Sequence, residues 1–228
     1  MTGRFSKYQV ATGIAILFHT IGLAGILLFD KDWIVRTTPL NLLLMAVLLI
    51  WTQTNRNIFF WIFFSVCFIT GIAVEMIGIN TGLLFGNYVY GEVLGPQINN
   101  VSWIIGVNWF IVMYCCGVAM QMLVKKITSI GPETPKPKIL QALTVILDGA
   151  TIAVFFDWVM EPVAVKLDYW TWLGTGEIPW FNYFCWFVVS ALLLTVFWYS
   201  NFEKKNKFAV NLLLIQFMFF LVLRTFMN

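Results

Sequence analysis

Residues 57–91 read NIFFWIFFSVCFITGIAVEMIGINTGLLFGNYVYG. The run 57–77 is apolar and close to the roughly 20 residues a helix needs to cross a bilayer. Near its end stands Glu75, and a loop dense in Gly, Asn and Tyr follows. An ionisable side chain within a span costs about 2.5–3.5 kcal/mol on insertion scales, so one kept beside such a loop points to a site. A structural role competes, because a neighbouring helix could neutralise the acid.

The rest of the chain has the same character. Of 228 residues, 60% are hydrophobic and only 11% are charged, and the mean hydropathy is +0.83. A soluble domain of this size cannot hide so much apolar surface, so the composition predicts an all-α polytopic membrane helix bundle. Charge is too sparse for a separate soluble unit, and 1–228 reads as a single transmembrane domain. Seven apolar runs stand out, at about 9–29, 38–53, 57–77, 103–123, 139–160, 180–200 and 208–226. The first is as long as a full span and no small-residue cleavage motif follows it, so it reads as a span rather than a leader. Arg56 and the polar stretch 52–57 turn the short second run into the third as a tight hairpin.

Charge placement supports that count. With seven spans, one side holds Arg4, Lys7, Arg56, Lys125, Lys126, Lys136, Lys138, Lys204, Lys205 and Lys207. The other keeps only Lys31, Arg36, Lys166 and Arg224 of the 14 basic residues. The positive-inside rule then puts the amino terminus in the cytoplasm and the carboxyl terminus outside, as for a bacterial inner-membrane protein. The net charge of +3 is a topology signal and gives no reason to expect nucleic acid.

Polar residues gather at the outer pole. Glu75 ends span three, Asp157 and Glu161 end span five, and Asn108 and Asn182 begin spans four and six. The two long outer loops add Asn80, Asn87, Tyr88, Tyr90, Tyr169, Trp170 and Trp172. Asp157 and Glu161 are four apart and share a helix face. Asp148 lies nine residues before Asp157, half a revolution away, which predicts that span five occupies the middle of the bundle. A weak duplication is also visible: Glu75, Tyr88-Val89-Tyr90 and Asn108-Trp109-Phe110 parallel Glu161, Tyr169-Trp170-Thr171-Trp172 and Asn182-Tyr183-Phe184. A parallel repeat of this kind would set its two acids across one cavity.

Other features take plainer readings. Gly71, Gly78 and Gly82 allow close helix approach, and His19 is an interhelical donor. Arg224 snorkels to the surface. Cys67, Cys115, Cys116 and Cys185 lack metal-ligand spacing and read as buried structural thiols. No metal, phosphate or dinucleotide motif is present.

A membrane cavity lined by acids and aromatics suits one kind of chemistry. Carboxylic acids in apolar surroundings can stay protonated and donate a proton. Aromatic faces stabilise a cation they surround. Together these fit protonation of a carbon–carbon double bond in a lipid-soluble polyene taken from the bilayer.

Several blocks then carry a resemblance. Glu75 with Thr81-Gly82-Leu83-Leu84-Phe85-Gly86-Asn87-Tyr88-Val89-Tyr90 resembles the signature of membrane carotenoid-biosynthesis proteins that include CruF-type carotenoid hydratases. Ile105-Gly106-Val107-Asn108-Trp109, Asp157-Trp158-Val159-Met160-Glu161-Pro162 and Tyr169-Trp170-Thr171-Trp172 are similar to that family's later blocks. Ser102 departs from the pattern, standing where a proline is expected before span four. The resemblance implies addition of water to the terminal double bond of an acyclic carotenoid ψ-end, of lycopene or γ-carotene type, without a cofactor. In that reading Glu75 or Asp157 protonates the alkene, and Tyr88, Tyr90, Trp109 and Trp172 shelter the cation. Glu161 or Asp148 takes the proton of the attacking water, which Asn108 holds. Asn80, Asn87, Tyr169 and Asn182 complete the substrate-binding set.

Two alternatives stay open. A membrane lycopene cyclase shares the first step but closes a ring, and a transporter would use the same acids along a path. A retinal photoreceptor is disfavoured, since span seven has no lysine.

Overall fold

The computed structural model describes residues 5–130 and 137–227. Among these, seven helices run back and forth through a bundle: α1 (Lys7–Leu28), α3 (Thr38–Thr52), α4 (Ile58–Thr81), α5 (Ile104–Ile130), α6 (Lys138–Lys166), α7 (Trp180–Tyr199) and α8 (Lys207–Phe226). A short α2 (Lys31–Val35) joins α1 to α3. Six of the seven are long and apolar enough to cross a membrane, while α3 has 15 residues. At about 1.5 Å per residue α3 falls short of a hydrocarbon core roughly 30 Å thick. The chain is an integral membrane helix bundle, and its helices follow the seven apolar runs.

Local signals set the helix ends. Asn57 caps α4 by accepting from the Phe60 amide at 3.1 Å. Gly82 ends that helix in the left-handed region at φ +67, where a side chain would be strained. Its role is therefore to turn the chain, whereas Gly71 does permit close approach: a Cβ there would lie 2.6 Å from the Trp109 indole. Pro162 sits inside α6 and has no N–H to offer the Trp158 carbonyl. Arg224 donates to that carbonyl instead, at 2.7 Å, with its guanidinium 4.0 Å over the Trp158 ring. It bonds across to α6 rather than simply reaching for the surface.

The middle of the bundle belongs to α5, not to α6 as the acid pattern predicted. Buried positions make up 78% of the spanning window of α5 and 33% of that of α6. A helix that is apolar all round is the one to be surrounded. Gly106 meets Phe68 of α4, Gly117 meets Phe197 of α7, and adjacent Cys115 and Cys116 are both buried. In α6 two acid faces half a turn apart cannot both meet the bundle. Asp157 and Glu161 turn inward, and Asp148, at the end of a π-helical turn (Thr144–Asp148), is exposed on the far side.

Four short strands lie at one pole: β1 (Tyr88–Tyr90), β2 (Gln97–Ile98), β3 (Val101–Ser102) and β4 (Trp170–Trp172). β2 and β3 form a hairpin, pinned where buried Ser102 donates to the Leu94 carbonyl at 2.6 Å. β1 and β4 pair antiparallel, so the two long loops are joined. Lys31 reaches the Lys166 carbonyl and Lys166 the Met227 carbonyl, which places these basic residues at this pole.

At the opposite pole the connection after α3 meets the one after α7. Gln53 donates to the Glu203 carbonyl at 2.7 Å, Asn57 to the Asn201 carbonyl at 2.7 Å, and Tyr114 to Gln53. The basic residues thus divide between the poles as read from sequence, except that Arg4 and Lys136 lie outside the described residues. Asn206 is the hub here. Its Oδ1 accepts from the Phe208 and Ala209 amides, capping α8, and its Nδ2 donates to Thr52 at 3.1 Å and Tyr114 at 3.2 Å. Asn206→Ala is expected to cost about 2 kcal/mol, from a lost cap and buried hydrogen bonds. Thermal unfolding in detergent should fall accordingly; an unchanged midpoint would contradict the hub.

Candidate active site

Two carboxylates are held in two matching cups. In the first, the bare backbone at Gly71 lets the Trp109 indole lie against α4. That places Trp109 Nε1 3.2 Å from Glu75 Oε1, to which it donates. Beyond Gly82 the chain folds back as β1. Residues two apart on a strand share a face, so Tyr88 and Tyr90 both donate their hydroxyls to Glu75 Oε2, Tyr90 at 2.9 Å. In the second cup, Trp170 and Trp172 alternate on β4 in the same way. Both indoles donate to Glu161 Oε2 at 3.0 Å.

The strand pairing joins the cups. Tyr88 faces Trp172 and Tyr90 faces Trp170 across the ladder, with Tyr88 and Trp172 ring centres 5.1 Å apart. Helix, strand, helix therefore repeats with one arrangement, α4–β1–α5 against α6–β4–α7. Each half supplies an acid and a pair of aromatic donors, in line with the duplication read from sequence.

Asp157 extends the second cup. It and Glu161 are one helical turn apart, and Asn182 of α7 bridges them, donating to Asp157 Oδ2 at 2.8 Å and Glu161 Oε1 at 3.5 Å. Asp157 Oδ1 is buried with no hydrogen-bond partner. Glu75 and Glu161 line one cavity of about 20 Å³, roughly the space of one water. Its walls also include Phe85, Asn182 and Trp186, and Trp186 stacks on Trp109 at 4.2 Å.

None of the lining residues is Lys, Arg or His. Three acids therefore converge without a basic side chain in the cavity wall, held by neutral donors. Burial, and then the Glu75 charge, push the Tyr88 and Tyr90 phenols far above the ordinary tyrosine range, so both remain O–H donors. Among the described residues no three His, Cys, Asp or Glu form a metal-binding group.

The structure brings together Glu75, Asp157, Glu161, Tyr88, Tyr90, Trp109, Trp172 and Asn182. Other expected members lie elsewhere. Asp148 is exposed on the opposite face of α6. Asn80 and Asn87 are exposed and tie the loop: Asn80 donates to the Met76 carbonyl, and the Asn87 carbonyl accepts from the Leu173 amide. Asn108 and Tyr169 face a second cavity, of about 70 Å³, which Trp170 separates from the first. His19 lines that second cavity too, with Nδ1 at 2.8 Å from the Ala15 carbonyl of its own helix rather than of another. Trp170 and Trp186 join the site beyond the binding residues expected from sequence. Trp170 stands to Trp172 as Tyr88 stands to Tyr90, and Trp186 is one turn beyond Asn182, so both were within reach of pattern reasoning.

Neither curated proteins nor solved structures yield a match to this chain. The family model described as carotenoid biosynthesis protein matches residues 36–228, a stretch that holds α3 through α8 and both cups. On that match, with both carboxylate cups inside it, the chain belongs to the carotenoid biosynthesis protein family.

Proposed function

We propose that the protein is a carotenoid hydratase, adding water to the terminal double bond of an acyclic ψ-end such as that of lycopene or γ-carotene. The observation that carries this reading is the pair of carboxylates facing one aromatic cavity with no basic side chain in its wall. Like charges so placed favour sharing protons. Asp157 and Glu161, bridged by Asn182, hold the proton, and Glu161 delivers it from the cavity wall to the less substituted alkene carbon. The π electrons form the new C–H bond and leave a tertiary cation, sheltered by the faces of Tyr88, Trp172 and Trp186. Water adds to the cation, and its surplus proton passes to Glu75, whose oxygens are fixed by three neutral donors. Return of that proton to Glu161 completes the cycle, with one alkene and one water consumed and one alcohol formed. No cofactor takes part.

A ψ-end is larger than the cavity, so binding displaces side chains, and the substrate arrives from the bilayer. By the charge bias, the cups lie at the non-cytoplasmic face of a bacterial inner membrane. A cyclase would share the protonation. The Asn182 amide and the phenols of Tyr88 and Tyr90 on the cavity wall favour a bound water over ring closure. The transporter reading loses Asp148 as a stepping stone, because that acid faces out of the bundle.

Expression in a lycopene-accumulating bacterium tests the proposal by pigment mass. A gain of one water is expected. An isomer of unchanged mass would favour the cyclase, and unaltered lycopene with correctly inserted protein would defeat both. The phenols also make a pH prediction. Because raised Tyr88 and Tyr90 values keep the protonated form as pH rises, the rate profile should contain no step near pH 10, where free phenols titrate.

A further inference from the structure

We infer that the second cavity is a binding site for a long apolar molecule carrying a hydroxyl group, reached sideways from the bilayer between α1 and α3. The cavity of about 70 Å³ is walled in part by His19, Asn41, Asn108 and Gln216. His19 is 6% and Gln216 5% exposed, so these polar groups are deep in the bundle. Two of them are unsatisfied: Asn41 Oδ1 and Gln216 Oε1 are buried with no hydrogen-bond partner. Orphan acceptors of this kind are destabilising unless a donor reaches them. Mid-bundle, that donor must come with a ligand or a water.

The shape of the surroundings selects the ligand. A groove of about 420 Å³ shares Thr38, Asn41, Tyr169 and Phe219 with the polar cavity. Beyond them its walls are apolar, with Phe18, Ile21, Trp33, Leu40 and Leu44 among them, save for Thr37, whose hydroxyl is already given to the Ile34 carbonyl at 2.7 Å. Polar groups are therefore at the inner end and hydrocarbon at the lipid-facing end, the reverse of a headgroup at the membrane surface. A hydroxyl both donates and accepts, so it satisfies either amide whichever way its O and N are turned. A pure hydrocarbon can satisfy neither. Trp170 is the partition between this cavity and the acid one, so the hydroxyl end would rest next to the catalytic cup. The site stands on these cavities and orphan oxygens, and not on the reaction proposed above.

The test uses full-length protein in phosphatidylcholine nanodiscs and a diazirine-bearing C20 acyclic isoprenoid alcohol as photoprobe. Crosslinks are expected on peptides around 18–26, 40–44 and 216–220. Unlabelled alcohol should compete at least tenfold better than the hydrocarbon of the same skeleton. The double variant Asn41→Leu, Gln216→Leu should reduce that preference below threefold. Ile21→Trp, which fills the groove and leaves the buried amides alone, should weaken crosslinking in a chain whose folding is not in question. Glu161→Gln should leave binding intact, which separates this site from the hydratase reading. Equal competition by alcohol and hydrocarbon, crosslinks spread evenly over the lipid-facing helices, or undiminished labelling in Ile21→Trp would each overturn the assignment.

Discussion

Glu161→Gln is expected to abolish measurable hydration while leaving a folded, inserted protein. General acids ordinarily contribute about 10²–10⁴-fold; here the loss should exceed that range, because neither water nor a neutral phenol is acidic enough to protonate an alkene. The substitution is structurally mild. Gln can keep its carbonyl towards the Trp170 and Trp172 indoles, which both donate to Glu161 Oε2. Its amide then stands at the Oε1 position, opposing only the long donation from Asn182 Nδ2, at 3.5 Å the weakest of the three bonds this carboxylate accepts. Glu75→Gln is harder to accommodate, since Tyr88, Tyr90 at 2.9 Å and Trp109 at 3.2 Å all donate at close range, with no long bond to give up. The carbonyl must face Trp109, and the two phenols must rotate to accept. Glu75→Gln should be nearly as inactive, with some lost stability besides. Asp157 touches the cavity only through its neighbours, so Asp157→Asn should cost less, about 10–10²-fold. Asp148→Asn, on the far side of α6, should match the parent. Product formation per folded protein, with melting temperature measured in parallel, ranks the four. If Asp157→Asn fell furthest, the proton would be delivered by Asp157 and the assigned roles would be wrong.

That ranking also marks where the sequence could and could not be read. Helix positions follow from local hydrophobic length: the starts agree within two residues, while α4, α5 and α6 run four, seven and six residues past the ends of the apolar runs. Pole assignments followed from the sparse charges. Glu75 and Glu161 were recognisable as paired acids because each precedes an aromatic-x-aromatic motif. What one chain does not reveal is which aromatic serves which acid, since that depends on β1 finding β4 across about 80 residues. Nor did it reveal the central helix. Acids on two faces of α6 suggested burial all round, but a bundle needs only one face of a peripheral helix, and Asp148 turned outward. Asn108 lies outside the acid cavity for a similar reason. Adjacent to Trp109 in sequence, it points about 100° away on the helix, into a different cavity.

Gly91→Ala is expected to inactivate the protein without touching any acid. Gly91 follows Tyr90 directly, and its amide donates to the Tyr169 carbonyl at 2.9 Å, closing the end of the β1–β4 ladder. A Cβ at this position would lie 2.0 Å from the Asp168 carbonyl oxygen. Real Cβ contacts stay at 3.0 Å or more, so the strands must part by about 1 Å (3.0 − 2.0). The atom in the way is backbone, held by a left-handed Asp168 at φ 58, and cannot swing aside as a flexible side chain would. Because the same ladder carries Tyr88 and Tyr90 to one acid and Trp170 and Trp172 to the other, a single displacement loosens both cups. Misplacement of this order costs about 10²-fold in positioned chemistry. Gly13→Ala is the matched control: nothing lies within 4 Å of a Cβ there, and replacing a helical glycine should be neutral or add up to about 1 kcal/mol. Tryptophan emission should shift in Gly91→Ala as the Trp170 and Trp172 indoles lose their carboxylate partner. Full activity in that variant would mean that the acids work without their aromatic donors, and the two cups would then be scaffolding rather than machinery.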